Sequence, residues 1–235
     1  MAAARATTAS TGSTGSTGRQ PARLTELAPG LTAAFVREAL HRAIHGVGPL
    51  PPAAHAADAQ LREQHGDVER AVHEVIESHV RYAGAQGFVT NLGGLAMMTV
   101  MVPANITGLA LVQCRMIAGI AHLRGYDLTD PRVKNAVLVC LLGEDTVRER
   151  VTDLTIPAPP MAIATAPAHD PTLDQVVSTE VAADLVARVA GKRVAGTAGR
   201  RIPLVGGFIG AGVDGYATWR IGRYADRELL PLARR

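Results

Sequence analysis

Four charged residues are candidates for holding a polar headgroup. Asp127 and Asp130 lie three positions apart, a spacing at which two carboxylates could hold Mg²⁺ against a diphosphate. Arg115 interrupts an otherwise aliphatic segment, and a buried arginine needs either a carboxylate partner within the fold or a bound anion. Arg223 is the fourth candidate. Asp130 also has a structural interpretation, because Pro131 follows it and aspartate before proline typically caps a helix.

Seven of the eight aromatic residues lie in or beside two glycine-rich apolar segments. Rings with an apolar body and a polar edge suit a membrane interface, but they also suit the lining of an apolar pocket or ordinary core packing. The candidates for contact with a lipid or another apolar ligand are Tyr82, Phe88, Tyr126, Phe208, Tyr216 and Trp219.

Small residues recur at every fourth position in the second of these segments. Gly207, Ala211 and Gly215 would form a strip along one helix face, which lets another backbone approach closely. We expect the strip to pack against segment 103–123, which is itself rich in glycine and alanine. Membrane insertion is the alternative. A phosphate loop is disfavoured because no P-loop lysine follows the glycines and no strand pattern precedes them.

Other catalytic and metal-binding patterns are incomplete. His73 begins half of a zinc-protease helix motif, but an acid replaces the second histidine. His41 and His45 are four residues apart and could share a metal, yet they also suit a solvated helix face. Cys114 and Cys140 have no CxxC context and are typical of small core residues. We therefore predict no metal and no cofactor, and the sequence identifies no catalytic residue.

Hydrophobic periodicity predicts an all-α fold. Apolar residues recur at intervals of three and four, and no alternating strand pattern of useful length occurs. Pro103 would divide the long uncharged segment, because proline starts helices more readily than it continues them. The predicted helices span residues 31–47, 67–82, 93–102, 103–123, 131–142, 144–154, 173–190 and 202–230.

The chain is predicted to form one domain behind a flexible tail. Residues 1–21 are rich in Ala, Ser, Thr and Gly, a composition typical of a disordered tail. Residues 22–235 are expected to form a single compact multi-helix domain with glycine-rich, closely packed central helices and a proline-rich loop at 155–172. Two cysteines and no apolar leader favour a cytoplasmic protein.

Charge is unevenly distributed along the 235 residues. Residues 187–235 hold ten basic and three acidic side chains, a net charge of +7, whereas the remainder carries −4. A basic C-terminal segment suits an anionic partner such as lipid headgroups, with a basic solvated surface as the alternative. Nucleic acid is disfavoured as a partner, because the basic residues alternate with glycine-rich apolar sequence rather than forming a recognition helix.

Several motifs, in this order and spacing, resemble the EcsC-like family of bacterial proteins. The resemblance covers residues 68–145 and 190–230, with Asn91 and Asn105 departing from the usual pattern. It implies a mostly helical intracellular protein, associated with a membrane and with no transferable enzymatic activity. The motifs are Gly87-Phe88-Val89-Thr90-Asn91-Leu92-Gly93-Gly94, Val102-Pro103-Ala104-Asn105, Gln113-Cys114-Arg115-Met116-Ile117, Gly125-Tyr126-Asp127-Leu128, Leu141-Leu142-Gly143 and Ile202-Pro203 through Gly215.

Two functional hypotheses follow from the sequence. The first is a non-enzymatic protein that binds anionic lipid headgroups peripherally at the inner membrane, alongside a membrane transporter, because the family takes its name from an operon that also encodes an ABC transporter. The second is an enzyme or carrier for an amphiphilic substrate such as an isoprenoid diphosphate or a lipid. In that alternative the aromatic candidates line a pocket, and the four charged residues face the headgroup with or without Mg²⁺.

Overall fold

The computed structural model describes residues 32–92, 94–198 and 203–232. Within these ranges it describes 86–107 and 189–211 by their backbone and not by their side chains. The described chain is helical without a strand, which confirms the predicted all-α fold. Its only β-type pairing is an isolated bridge between Val47 and Leu50. The helices are α1 (Ala33–His45), α2 (Ala53–Glu63), α3 (Val68–Leu92), α4 (Gly94–Leu123), α5 (Pro131–Leu142), α6 (Glu144–Thr152), α7 (Pro160–Ala164), α8 (Pro171–Ala198) and α9 (Pro203–Glu228).

Three long helices, α3, α4 and α9, form the centre of the fold. Helix α4 runs antiparallel to α3, and α9 runs parallel to α4, so that α3 and α9 are antiparallel. The buried amide Nε2 of Gln113 on α4 donates a 3.1 Å hydrogen bond to Oγ1 of the buried Thr218 on α9. Fully buried aliphatic residues such as Ile76, Ile117 and Ile120 fill the space between the helices.

The other helices pack around this centre. Helices α1 and α2 contact α4, and α5 contacts α4 on one side and α7 and α8 on another. Helix α5 is largely enclosed, with nine of its twelve residues buried. Asp130 caps it by accepting a 2.8 Å hydrogen bond from the amide of Arg132, as the Asp-Pro pair predicts. Gly143, with φ of 83°, ends α5 and starts α6.

Besides continuing α3 to Leu92 and α8 to Ala198, where the predicted helices end at 82 and 190, the structure differs from the predicted helices in three places. Pro103 does not divide the apolar segment, since α4 runs continuously through it. Proline inside a helix costs about 3 kcal/mol, which the burial of a long apolar helix can offset. The prediction missed α2, because its apolar side is made of alanines such as Ala53 and Ala57, which give a weak hydrophobic signal. The proline-rich region 155–172 contains α7, and it buries Ile156 and Ile163 in the core.

An arginine just beyond the end of α4 joins the three central helices. The side chain of Arg124 is only 5% exposed. Its Nη2 atom donates hydrogen bonds of 2.9 Å to Oε2 of Glu69 on α3 and 2.7 Å to Oδ1 of Asp226 on α9. Its carbonyl oxygen also accepts a 2.9 Å hydrogen bond from the amide of Leu232. One residue therefore fixes the positions of α3, α4 and α9 relative to one another along their axes, which we call their relative height.

Glycines on α9 allow it to approach its neighbours closely. A Cβ atom built on Gly215 would lie 3.7 Å from the carbonyl oxygen of Val80 and 3.9 Å from Cα of Gly84. The strip predicted to face segment 103–123 therefore faces α3 at this position, so the predicted partner helix is wrong there. The side chains of its other members, at positions 207 and 211, lie outside the described residues.

Gly222 should tolerate no large side chain. A Cβ atom there would lie 3.0 Å from Cγ2 of Ile76 and 3.1 Å from Sδ of Met116, both in the core. We expect Gly222→Val to lower the free energy of unfolding by about 1–3 kcal/mol through overpacking, as measured by urea denaturation. Gly212→Ala is the matched control, because Gly212 lies on the same helix in open space. The control should be neutral or slightly stabilising. Equal stability of Gly222→Val and wild type would contradict close packing here.

The contact between Glu69 and Arg124 should make stability depend on pH. Hydrogen bonds from Arg124 hold the pKa of Glu69 below its ordinary value of 4.5. The ionised carboxylate thus stabilises the fold above about pH 4.5, and this contribution is lost as the pH falls through the lowered pKa. Glu69→Gln should flatten the decline of unfolding free energy below that pH, measured by urea titrations. The exposed Glu63, replaced by Gln, is the control that should keep the wild-type slope. An unchanged slope in Glu69→Gln would be the contrary result.

Candidate functional site

An exposed apolar and aromatic face lies on the solvent side of α9. Val213, Tyr216 and Trp219 are 53%, 61% and 45% exposed. Their spacing of three residues places them along one stripe of the helix, opposite the buried side that carries Gly215 and Gly222. The rings of Tyr216 and Trp219 stack with centroids 5.9 Å apart and planes inclined by 19°. We call Val213, Tyr216 and Trp219 the aromatic face.

Tyr82 lies at the same height in the fold. Gly215 packs between Val80 and Gly84 of α3, which are the positions two residues before and after Tyr82. The Tyr82 ring is 58% exposed, so α3 and α9 both present an aromatic side chain to solvent at this level. Three of the predicted aromatic candidates are therefore surface groups rather than the lining of an internal pocket.

Arginines on the described part of the basic segment are paired with acids. Arg220 and Arg223 share the solvent side of α9 with the aromatic face. Nη2 of Arg220 lies 2.6 Å from Oδ2 of Asp145 on α6, and Nη1 of Arg223 lies 3.2 Å from Oδ2 of Asp226. The +7 charge predicted to attract an anionic partner is thus partly neutralised by neighbouring carboxylates in the folded chain.

The charged residues predicted to share a headgroup are held separately. Asp127 accepts hydrogen bonds of 2.8 and 2.7 Å from the amide and hydroxyl of Thr129, and these bonds lower the pKa of its carboxyl group. Asp130 caps α5, and Arg223 pairs within its own helix. Arg115 lies more than two turns before the end of α4, where it donates to the carbonyl oxygen of Pro51. Each of the four residues thus already has a hydrogen-bond or ion-pair partner within the fold.

The remaining aromatic candidates have other roles or lie outside the described side chains. Tyr126 is buried, and its hydroxyl donates a 2.9 Å hydrogen bond to the carbonyl oxygen of Leu230, which holds the chain after α9 against the end of α4. Burial also raises the pKa of the Tyr126 hydroxyl. The side chains of Phe88 and Phe208 are not among the described ones.

A polar cleft between α2, α3 and α4 was not predicted from the sequence. It has a volume of about 80 Å³, and its polar lining consists of Gln60 from α2, Ser78 and His79 from α3, and Arg115 from α4. The sequence prediction missed it because it missed α2, which contributes one wall. Arg115 in an otherwise aliphatic helix was the one signal that pointed to it. We call these four residues the polar cleft.

A larger groove of about 430 Å³ lies between α1, α5 and α8. Its rim carries charges of both signs, including Arg37, Glu38 and Lys134. His41 and His45 also line it, and their rings stack with centroids 4.2 Å apart. Within the described ranges no group of three or more potential His, Cys, Asp or Glu ligands lies close enough to hold a metal ion.

Within the described ranges, no helix combines the length and the hydropathy that are needed to cross a membrane.

The fold and its surface define an all-helical protein with a closely packed three-helix centre, an exposed aromatic face and a small polar cleft. The model of the EcsC protein family matches residues 32–229. Because the match covers most of the chain, the protein belongs to this family, as the motif resemblance predicted. Comparison with the curated proteins and with the solved structures found no match.

The two cysteines should be unreactive in the folded protein. Cys114 and Cys140 are both buried, and burial raises the pKa of the Cys114 thiol to about 12 and that of Cys140 well above its usual range. At pH 8 both remain protonated thiols, which are poor nucleophiles. We expect no reaction with Ellman's reagent in native buffer and two reactive thiols per chain in guanidinium chloride. Rapid reaction of either thiol in the native protein would contradict the core assignment.

Proposed function

We propose that this EcsC family protein is non-enzymatic and associates peripherally with the inner face of the bacterial membrane through the aromatic face of α9. The observation that carries the proposal is the exposed, stacked pair Tyr216 and Trp219 on the solvent side of a helix. Exposed apolar residues that lie together on one face mark a surface that contacts a membrane or a partner more often than scattered ones do.

Chemical character favours a lipid surface as the contact. Tyrosine and tryptophan concentrate at membrane–water interfaces, where the ring meets apolar chains while its polar edge stays hydrated. Arg220 and Arg223 lie along the same side of α9, and long cationic side chains beside apolar ones can reach toward phosphate groups. The sequence adds support, because residues 82–114 contain no charged side chain.

Electrostatic attraction should contribute less than the sequence alone suggests. Arg220, Arg223 and Arg227 already pair with acidic residues, and exposed pairs of this kind screen each other. A basic residue near an anionic surface contributes about 1 kcal/mol, and pairing reduces that amount. We therefore expect apolar contact by the aromatic face to dominate binding, with anionic lipid adding a smaller, salt-sensitive part.

Vesicle flotation with aromatic variants tests the proposal. Wild type should float with phosphatidylcholine vesicles containing phosphatidylglycerol, and with pure phosphatidylcholine more weakly. Trp219 is the only tryptophan, so its fluorescence should also shift to the blue on binding. Tyr216→Ser with Trp219→Ser should lower the partition coefficient about tenfold or more on both vesicle types, because two exposed rings are lost.

The control variant removes exposed apolar side chains elsewhere. Leu154 in the turn after α6 and Val176 on α8 are also exposed, so Leu154→Ser with Val176→Ser should bind vesicles as wild type does. Circular dichroism shows whether each variant keeps its helices. Failure of wild type to float with either vesicle, or equal binding by the aromatic variant, would overturn the proposal.

A further inference from the structure

The polar cleft lies at the meeting point of α2, α3 and α4 and is separate from the aromatic face. Gly119 on α4 allows the helices to come together there, since a Cβ atom at this position would lie 3.5 Å from Cγ1 of Val75 and 3.7 Å from Cβ of Ala57. Close packing of small residues around polar groups leaves an opening of about 80 Å³ that the protein itself does not fill.

Arg115 supplies a positive charge without a matching carboxylate. Its guanidinium is partly buried and donates to the carbonyl oxygen of Pro51, and among the described residues it forms no ion pair. Burial disfavours its charged form and lowers its pKa. Asp58 on α2 is paired with His122 at 2.8 Å. A partly buried cation with no counter-ion favours an anionic ligand.

The N-terminal end of α2 lies beside the cleft. This helix begins after Pro52 without a side-chain cap, and Ala53 and Ala56 line the cleft, although the amide of Ala56 already donates to the carbonyl oxygen of Pro52. The positive end of the helix dipole favours negative charge. It therefore acts in the same direction as the charge of Arg115.

The cleft also contains acceptors that need a donor from the ligand. Oε1 of Gln60 is buried and has no hydrogen-bond partner. Nδ1 of His79 lies 2.7 Å from the carbonyl oxygen of Val75, so Nδ1 carries the proton. Burial lowers the pKa of His79, which keeps the ring neutral and leaves Nε2 as an acceptor. The hydroxyl of Ser78 donates to the same carbonyl and can accept as well.

We propose that the polar cleft binds a hydrogenphosphate or phosphate monoester group. Hydrogenphosphate, or a phosphate monoester in its singly protonated form, offers charged oxygens to Arg115 and a hydroxyl to Gln60. A tetrahedral oxyanion suits polar groups that approach from three helices better than a planar carboxylate does. The same chemistry occurs in free phosphate, in soluble phosphate esters and in the headgroup of phosphatidic acid. The proposal is independent of membrane binding by the aromatic face.

Binding of inorganic phosphate to the full-length protein is the primary test. Isothermal titration calorimetry in a chloride buffer of matched ionic strength should give saturable binding with one site per chain. Arg115→Gln should weaken binding about tenfold or more, because it removes a charge-assisted hydrogen bond. Arg70→Gln is the control, since Arg70 is an exposed arginine on α3 that pairs with Asp67, the residue just before this helix. It should bind phosphate as wild type does.

Gln60→Glu gives a second test, in which the positive charge of Arg115 is kept. The new carboxylate would supply the missing counter-ion to Arg115 and repel phosphate. We expect this variant to melt at a higher temperature than wild type without phosphate and to show no further rise when phosphate is added. Circular dichroism confirms that the variants are folded.

The outcomes separate the sources of the phosphate group. Binding of glycerol 3-phosphate as well as inorganic phosphate indicates that the cleft accepts esters. The headgroup of phosphatidic acid is assigned to the cleft if two results are obtained together. Arg115→Gln should lose binding to phosphatidic acid vesicles, and the Tyr216→Ser, Trp219→Ser variant should keep phosphate binding in solution. Absence of saturable phosphate binding, or equal affinity in wild type, Arg115→Gln and Gln60→Glu, would overturn the inference whatever the vesicle experiments show.

Discussion

The arrangement of α3, α4 and α9 depends on Arg124, which bonds Glu69 and Asp226 from an almost fully buried position. A cation removed from water needs carboxylate partners in fixed places, so the ion pairs hold the three helices at one relative height. That height places Gly215 and Gly222 against α3 and leaves Tyr216 and Trp219 on the outer side of α9. It also aligns Arg115 with His79 across the polar cleft.

Low aromatic content is the reason that glycine and alanine carry so much of the packing. Only 3% of the residues are aromatic, and the core is built mainly from aliphatic residues and alanines. Small residues let backbones approach closely, as at Gly119 and Gly222, and dispersion contacts then replace the bulk that large rings would supply. Exposed aromatic side chains are therefore unusual in this chain.

The two candidate functional features use different physics. The aromatic face would gain free energy by removing exposed apolar area from water, a contact that is tolerant of partner geometry. The polar cleft would bind through directed hydrogen bonds to a charged group, which is selective for shape and charge. Both features include residues of the helices that the Arg124 contacts align, and α2 completes the cleft. A membrane that contains phosphatidic acid offers an apolar interior for the first feature and a phosphate monoester for the second, and each can be tested without the other.

The sequence determined the helical fold, the capping of α5 by Asp130 and the family, because these depend on local periodicity, side-chain type and motif order. It also identified Tyr216 and Trp219 as unusual. Tertiary structure alone decided that Arg115 donates to the carbonyl oxygen of Pro51, because only folding brings α4 against the start of α2. It likewise decided that the strip at Gly215 meets α3 and that an alanine-rich α2 completes a cleft. A pattern of small residues predicts that a helix packs closely against another, but it does not predict which helix is the neighbour.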